Sequence, residues 1–199
     1  MARSKQTAEY GTQKKRKLPV RVILGLLAVL VAIALILFAL SPFILDTVKA
    51  ESGAMSPAIN ISDTVGVNHL AYLLLPPARG DIVQFRTSRG ETGTETGDES
   101  ASMRRIVGLP GETVQIMDGT VYINGSPLKE DYCSGEMTYG GTAASALTLG
   151  NDEYFVMADN RSNNFDSRDS TVGPVLESDI IGKVWIRLLP FENFGLIGK

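Results

Sequence analysis

Two groups near the C-terminus hold the densest set of chemically active side chains in the sequence. Asp159-Asn160-Arg161 and Asp166-Ser167-Arg168 place carboxylates, an amide, a hydroxyl and guanidinium groups within ten residues. Such carboxylates could act as general acids or bases, or could hold a turn through Asx bonds and Asp–Arg pairs. The structural role is favoured, because an arginine partner keeps a carboxylate ionised and makes it a poor general acid.

The only histidine and the only cysteine form a second candidate pair. His69 and Cys133 could make a thiol peptidase together with an arginine, but neither lies in a recognisable local pattern. A structural or surface role is therefore the stronger interpretation. One cysteine excludes an internal disulfide, and one histidine offers a metal ion few ligands. We predict no metal site and no cofactor.

Charge is divided unevenly along the chain. Its 199 residues carry 19 basic and 22 acidic side chains, a net charge of −3, and 44% of them are hydrophobic, which suits a folded core. Residues 1–21 carry seven basic side chains against Glu9 alone, a net charge of +6. Residues 46–199 carry 12 basic and 21 acidic side chains, a net charge of −9. Nucleic acid is thus an unsuitable partner for the acidic part.

The segment between these two parts, residues 22–45, has no charged residue. As a helix it would reach about 36 Å, enough for a hydrocarbon core of about 30 Å. We predict a transmembrane helix in contact with membrane lipid, a basic cytoplasmic tail over 1–21 and an extracytoplasmic domain over 46–199. The alternative is a signal peptide cleaved at Val48-Lys49-Ala50, whose apolar region would far exceed the usual length of about 7–15 residues.

Residues 46–199 have the pattern of an all-β domain. Short apolar or alternating runs bounded by turn residues predict strands at 65–67, 81–85, 106–109, 154–157 and 184–189. Residues 113–123 predict a hairpin, because Asp118-Gly119 between two strand-like runs favours a two-residue turn with positive φ. Helical periodicity in this domain is confined to His69–Leu75.

Two long stretches interrupt the predicted strands. Residues 86–103 are rich in Gly, Ser, Thr and Glu and predict a mobile surface loop, with a tolerated insertion as the alternative. Residues 132–151 contain four glycines and predict an inserted cap region. Loops of this length in a compact domain are often functional.

Four motifs taken together resemble the bacterial type I signal peptidase family. Residues 52–57 resemble its Ser-Met-x-Pro motif, and residues 79–83 resemble its Arg-Gly-Asp-Ile-Val strand. Residues 104–112 resemble its Lys-Arg-Val-x-Gly-x-Pro-Gly-Asp motif, and residues 159–168 its Asp-Asn-Arg…Asp-Ser-Arg motif. They follow one N-terminal apolar segment, as in the Gram-positive form. The resemblance implies a signal-peptidase-type β-barrel or sandwich with an inserted cap.

The resemblance also implies a peptide groove along the first motif and a structural group in the last two. The groove and oxyanion candidates are Ser52, Gly53, Ala54, Met55, Ser56 and Pro57. The structural group consists of Arg105, Asp159, Asn160, Arg161, Asp166, Ser167 and Arg168. In the family, an extended peptide binds as an added strand beside the first motif.

The positions that carry the family's chemistry hold different residues in this chain. The family cleaves signal peptides with a serine nucleophile and a neutral lysine base. The nucleophile position matches Ala54, which has no oxygen, and the base position matches Arg104, whose guanidinium stays protonated. A supporting serine matches Asn164. No catalytic residue of the family is therefore intact.

Three hypotheses follow from the resemblance. The first is a membrane-anchored protein that binds an exported preprotein or a pilin peptide without cleaving it, since dyad-lacking family members assist pilus assembly with a sortase. The second is an active signal peptidase with a rearranged dyad. Ser52 or Ser56 would replace Ala54, because residues two apart in an extended segment point the same way, and Lys183 or Lys129 would be the base. The third is a structural anchor protein with an empty groove.

Overall fold

A computed structural model describes residues 20–87 and 100–198 of the chain. The predicted basic tail therefore lies almost wholly outside the described residues. The chain divides into two units, Met1–Ser41 and Pro42–Lys199. One α-helix, α1, spans Val20–Ile44, and its described side chains, at 21–22, 24–33 and 35, are all exposed. Counting only the described residues, no helix is both long enough and apolar enough to cross a membrane.

The described part of the second unit is built from twelve strands and three short 3₁₀ turns. The strands are β1 (Leu45–Lys49), β2 (Thr64–Asn68), β3 (Ile82–Thr87), β4 (Ser100–Gly108), β5 (Thr113–Met117), β6 (Thr120–Ile123), β7 (Ser126–Pro127), β8 (Leu147–Thr148), β9 (Glu153–Met157), β10 (Val175–Leu176), β11 (Ile180–Leu189) and β12 (Gly195–Leu196). The 3₁₀ turns are Gly141–Ala143, Glu177–Asp179 and Phe191–Asn193. The expected β class is confirmed.

The strands form two antiparallel sheets. The larger has the order β1-β2-β11-β3-β4-β9-β10, with β12 paired to β11, and the smaller has the order β7-β6-β5-β8. Strand β11, near the C-terminus, lies between β2 and β3, so that Lys183 pairs with Asn68 on one side and with Val83 on the other. Strand β1 forms one edge of the larger sheet and pairs with β2 from Leu45↔Asn68 to Lys49↔Thr64.

Strand β9 shows how the core is arranged around the larger sheet. Side chains alternate between the two faces of a strand, and here both faces are buried. Tyr154 and Val156 pack into a cluster with residues of β3 and β4, whereas Phe155 and Met157 pack into a cluster with residues of the smaller sheet. A strand covered on both faces gives a continuous apolar run, which explains why 154–157 was readable as a strand.

The strand predictions agree with the structure, and the hairpin prediction is confirmed. Strands β5 and β6 pair from Val114↔Ile123 to Met117↔Thr120. The turn residues Asp118 and Gly119 have φ values of 48° and 73°. Positive φ at both positions is the geometry that a two-residue type I′ turn requires.

The helix predicted over His69–Leu75 is wrong, because these residues form turns and bends. Pro76 disfavours helical backbone at the residue before it, and seven residues are too few for a helix without tertiary packing. The predicted mobile loop is too long at both ends, since β3 and β4 continue to the pairs Arg86↔Ala101 and Thr87↔Ser100. Residues 88–99 lie outside the described residues.

The segment 132–151, predicted as an inserted cap, contributes to the smaller sheet. It contains one 3₁₀ turn and β8, and β8 pairs with β5 through Thr113↔Thr148. Ala143 and Leu149 are buried in the same core cluster as Val114 and Phe155. At least this end of the segment is therefore part of the domain core.

The close approach of β11 to β2 depends on the absence of a side chain at Gly182. A Cβ there would lie 2.7 Å from the carbonyl oxygen of Asn68 and 2.9 Å from a methyl group of Val67. We expect Gly182→Ala to lower the free energy of unfolding by about 1–3 kcal/mol, the usual cost of overpacking. Gly195→Ala is the matched control, because among the described residues, its chain neighbours aside, no atom lies within 4 Å of its Cβ position. Denaturant unfolding of the full chain in detergent measures both, and equal stabilities would contradict this packing.

Candidate functional site

The first motif forms a compact loop between β1 and β2. The N–H of Ala50 donates to the Asp63 carbonyl, and the N–H of Ser62 donates to the Ala50 carbonyl, both at 2.8 Å. Inside this closed loop, the N–H of Ser56 donates to the Gly53 carbonyl at 3.1 Å. The segment is therefore turned, and the expectation that it is extended is wrong. Ser52 and Ser56, each two residues from Ala54, therefore need not point in the same direction as Ala54.

Ala54 occupies the buried inner side of this loop, with an exposed fraction of 1%. Its carbonyl accepts a hydrogen bond from the N–H of Asn160 at 2.9 Å, so the first and last motifs meet here. Its own N–H lies 3.4 Å from Ser52 Oγ, a long contact. Ser56 Oγ donates to Asn60 Oδ1 at 3.0 Å. Met55 packs into the core below the loop, whereas Pro57 is exposed.

Arg104, on β4, has a side chain that is fully buried. Its Nε donates to the Phe165 carbonyl at 2.9 Å, and its Nη1 donates to the Met103 carbonyl at 2.6 Å. The guanidinium is thus hydrogen-bonded to the loop of the last motif. Asn164 precedes Phe165 in that loop but is exposed, so it does not share the buried surroundings of Arg104.

Arg105 points to the opposite face of β4 and makes a two-point ion pair with Asp159. Its Nε and Nη2 donate to the two carboxylate oxygens at 2.8 and 2.6 Å, and its Nη1 donates to the Gly80 carbonyl at 2.8 Å. Its guanidinium also lies 4.2 Å from the ring centre of Tyr132. Both side chains are at most 1% exposed. Burial raises the pKa of Asp159 above its ordinary value, and the bonds from Arg105 act against that increase.

A second buried pair closes the loop of the last motif on itself. Arg168 donates from Nε and Nη2 to Asp166 at 2.9 and 2.7 Å, and from Nη1 to the Arg161 carbonyl at 3.0 Å. Asp166 also accepts from the N–H of Ala158 at 2.9 Å, and Ser167 Oγ accepts from the N–H of Val156 at 2.9 Å. The loop therefore has the Asp–Arg pair and the side-chain-to-backbone bonds of a structural turn.

Residues 130–134 join these motifs, and no sequence motif marks them. Glu130 accepts from Arg161 Nη1 at 3.0 Å and from the hydroxyl of Tyr132 at 2.7 Å. Burial raises the pKa of the Tyr132 hydroxyl, which keeps it a donor. Because Tyr132 also stacks on Arg105, this segment connects Arg105 with Arg161. Only the three-dimensional fold brings Glu130 to Arg161, so local spacing could not have revealed it.

Ser134 links three distant parts of the chain. Its N–H donates to the Asp159 carbonyl at 2.8 Å, and its carbonyl accepts from the N–H of Arg161 at 2.7 Å. Its hydroxyl donates to the Ser56 carbonyl at 2.8 Å. The first and last motifs are therefore held together through Ser134 as well as through the bond between Asn160 and Ala54.

The thiol peptidase pair receives no support from these contacts. His69 Nδ1 lies 3.1 Å from the Ile181 carbonyl, and Cys133 Sγ lies 3.3 Å from the Glu130 carbonyl. Across residues 20–87 and 100–198, no group of three His, Cys, Asp or Glu side chains could hold a metal ion.

Two open cavities lie elsewhere on the domain. One, of about 420 Å³, is lined by Arg79, Gly80, Leu128, Lys129, Asp131 and Tyr132. The other, of about 730 Å³, lies between the Asp118-Gly119 turn and residues 135–144. Neither is lined by Ala54 or Arg104, which are packed among protein atoms.

The Arg105–Asp159 pair gives a stability prediction. Arg105→Met leaves the buried Asp159 carboxylate without its partner, so we expect the free energy of unfolding to fall by about 3–5 kcal/mol. Adding Asp159→Leu removes the unpaired charge and should restore much of the loss. Lys129→Met, at an exposed ion pair, is the control and should leave the denaturation midpoint unchanged. An Arg105→Met chain as stable as the unaltered one would show that the pair is unimportant.

Comparison with known proteins shows which family the chain resembles. The signal peptidase family, peptidase S26, matches residues 23–189. A signal peptidase I from Leptolyngbya laminosa is 33% identical over 156 residues, covering 78% of this chain and 74% of that protein. Signal peptidase I T from Bacillus subtilis is 31% identical over 173 residues, covering 83% of this chain and 84% of that protein.

Among solved structures, a crystal structure of a signal peptidase I from Enterococcus faecalis is 33% identical and covers 54% of this chain and 96% of its own, with a TM-score of 0.43. The family match extends over most of the chain and includes all four motifs. The chain belongs to the signal peptidase family, peptidase S26.

Proposed function

We propose that this protein is a membrane-anchored member of the signal peptidase family that binds exported polypeptide without cleaving it. The observation that carries the proposal is the pair of residues at the dyad positions, Ala54 and Arg104. One has no nucleophilic atom and the other cannot release a proton under ordinary conditions. In serine peptidases, loss of the nucleophile or base lowers kcat by about 10⁶-fold.

The contacts of the nearby serines support the absence of a substitute nucleophile. A serine becomes nucleophilic only when a base accepts its proton. Ser56 Oγ donates instead to the side chain of Asn60, and Ser52 Oγ faces the N–H of Ala54. Among the described residues, no basic group is a hydrogen-bond partner of either hydroxyl.

The two lysines considered as substitute bases are also poorly suited to that role. A lysine base needs a lowered pKa, which burial away from other charges can provide. Lys183 Nζ instead pairs with Asp81 at 2.8 Å. Lys129 is 85% exposed, and its hydrogen bond with Asp131 raises its pKa. An active signal peptidase with a rearranged dyad is therefore the weaker alternative.

Two features of the second unit support a peptide groove of the family's kind. The loop over residues 52–57 is held to the last motif by the Asn160–Ala54 and Ser134–Ser56 bonds. β1 is an edge strand, and such an edge can accept an extended peptide as a further strand. These features favour peptide binding over a purely structural anchor with an empty groove.

The proposed anchor is α1, with the N-terminus in the cytoplasm and residues 46–199 outside. It is supported by the uncharged run over 22–45 and by the basic residues before it. Processing as a signal peptide after Ala50 would remove β1, which pairs with β2 over five residues, together with the buried Ala50. A retained anchor is therefore favoured over a cleaved leader.

The ligand of this groove is proposed from the family, whose relatives are named signal peptidases. An exported preprotein is the first candidate. A pilin peptide, with a sortase as an additional partner, stays a prediction. Co-purification of the full chain with a pilin or a sortase from a pilus-producing strain would support it.

Restoring the dyad tests whether the groove is intact. We expect the unaltered chain in proteoliposomes to leave a preprotein uncut, and Ala54→Ser with Arg104→Lys to give weak cleavage at the signal peptide site. Burial would lower the pKa of a lysine at position 104 and allow it to serve as a base. Ala54→Ser with Arg104→Gln is the matched control, because it restores the nucleophile alone. Product is measured by the N-terminal sequence of the mature protein.

The same assay can overturn the non-catalytic proposal. Specific cleavage by the unaltered chain that disappears in Ser52→Ala or Ser56→Ala would establish a rearranged dyad. A complementation test would lead to the same conclusion if this chain, at normal expression, rescued the growth of a strain depleted of its own signal peptidase.

Binding requires a separate measurement. We expect a photoreactive signal-peptide analogue to label residues 52–57 of the full chain in a saturable manner, and an unlabelled peptide to compete. Asn60→Ala removes the hydrogen-bond partner of Ser56 Oγ without removing a groove residue. Its labelling is compared with that of the unaltered chain. Labelling that neither saturates nor competes would indicate an empty groove.

A further inference from the structure

The cavity of about 730 Å³ beside the Asp118-Gly119 turn lies along the smaller sheet. We define the β5 slot as this cavity, bounded by Ile116 of β5, by the turn itself, by residues 135–140 and by Ala144. Its volume is within the range of about 300–1,000 Å³ that is common for ligand sites. The backbone on its two sides shows what kind of ligand would fit.

One side of the β5 slot is an open strand edge. Strand β8 pairs with only the first two residues of β5. In an antiparallel pair, opposite residues either exchange backbone hydrogen bonds or both turn these groups outward. Val121, the partner of Ile116 in β6, turns outward, because its carbonyl accepts from the N–H of Leu128 at 2.8 Å. The N–H and carbonyl of Ile116 therefore point away from β6, on the side where no described strand pairs with Ile116.

The opposite side of the slot is fixed at both ends and unpaired between them. The N–H of Ser134 donates to the Asp159 carbonyl at 2.8 Å, and the N–H of Thr142 donates to the Arg168 carbonyl at 3.0 Å. Among the described residues, no backbone-to-backbone hydrogen bond involves residues 135–139. A wall that is already held in place costs little ordering entropy when a ligand binds to it. The slot thus lies between two preformed backbone edges.

The side chains around the slot select for positive charge. Asp118 and Glu136 line it, and its described lining residues include no lysine, arginine or histidine. Tyr139 also lines it, with an exposed fraction of 49%. Carboxylates complement a cationic ligand, and an exposed tyrosine ring can contact the cation through its face. The net charge of −9 over residues 46–199 attracts the same kind of ligand.

We propose that the β5 slot binds an extended peptide segment that carries lysine or arginine. The segment would continue the line of β8, form backbone hydrogen bonds with Ile116 and place a basic side chain beside Asp118 and Glu136. In strand addition, backbone bonds supply affinity and the contacts of alternate side chains supply specificity. The slot contains none of residues 52–57. This inference therefore goes beyond the proposed function and does not depend on it.

Binding is measured by fluorescence anisotropy, with the full chain in detergent and a labelled peptide in which valine and lysine alternate. Valine favours the extended backbone that the slot requires. We expect saturable binding that is about tenfold tighter than that of a matched valine–glutamate peptide and that weakens as salt is added. The same lysine peptide with methylated backbone nitrogens should bind about tenfold more weakly, because it has lost its backbone donors.

A pair of charge variants separates the slot from general attraction to an acidic protein. Asp118→Asn with Glu136→Gln should weaken binding of the lysine peptide about tenfold, and asparagine suits the positive φ at position 118. Asp152→Asn with Glu192→Gln is the matched control. It makes the same change in net charge at exposed positions that do not line the slot, so the affinity should stay the same.

A pair of size variants tests the location directly. Ala144→Tyr adds a ring at an exposed residue that lines the slot and should abolish binding of the lysine peptide. Ser145→Tyr adds the same ring at the next residue, which is exposed but does not line the slot. It should bind the peptide as the unaltered chain does.

Four results would overturn the proposal. The absence of saturable binding would show that the slot takes no such peptide, and equal affinity for the lysine and glutamate peptides would remove the charge selection. Equal affinity for the methylated peptide would show that no strand is added. Crosslinking of a photoreactive lysine peptide to residues 52–57, and not to residues 135–144, would assign the binding to the groove of the proposed function. That function would then stand while the β5 slot failed.

Discussion

The burial of four arginines is the constraint on which the rest of this site depends. Arg104, Arg105, Arg161 and Arg168 are each at most 3% exposed, and burial of a guanidinium is costly unless its charge is paired or hydrogen-bonded. Arg105, Arg161 and Arg168 are paired with Asp159, Glu130 and Asp166. These pairs fasten the last motif to β4 and to residues 130–134. The loop that carries Ala54 is then held in place by the fastened motif.

Arg104 extends this pattern to the position where the family has its base. Its Nε uses the Phe165 carbonyl, a backbone group of the loop that the other arginines already hold in place. An arginine is always charged, so under the proposed function it places a permanent positive charge where the family has a neutral lysine, and it could not accept a proton there. Under the proposed function, Ala54 and Arg104 remove the reacting groups and leave the framework of the four motifs in place.

The local features of this molecule could be predicted from the sequence, and the long-range ones could not. The Asp118-Gly119 hairpin and the run 154–157 carry their own signals, because turn geometry and burial act within a few residues. Asp159 pairs with Arg105, 54 residues away, and Glu130 has no motif around it, so neither partner could be assigned from spacing. The spacing of the leucines near residue 73 resembled that of a helix. Spacing alone contains no information about what these side chains contact. The turned shape of residues 52–57 was missed because the bonds that close the loop join Ala50 to Ser62 and Asp63, further along the chain.

The position of β11 governs when the second unit, Pro42–Lys199, can complete its fold. Strands β2 and β3 are neighbours in sequence order but are joined only through β11, which lies at residues 180–189 near the end of the chain. A chain emerging N-terminus first therefore exposes the unpaired edges of both strands until these last residues arrive. Open strand edges invite association with other chains, and late non-local pairing slows folding. Without residues 180–189, β1-β2 and β3-β4-β9-β10 would form two separate half-sheets, so the larger sheet can be completed only after β11 has been made.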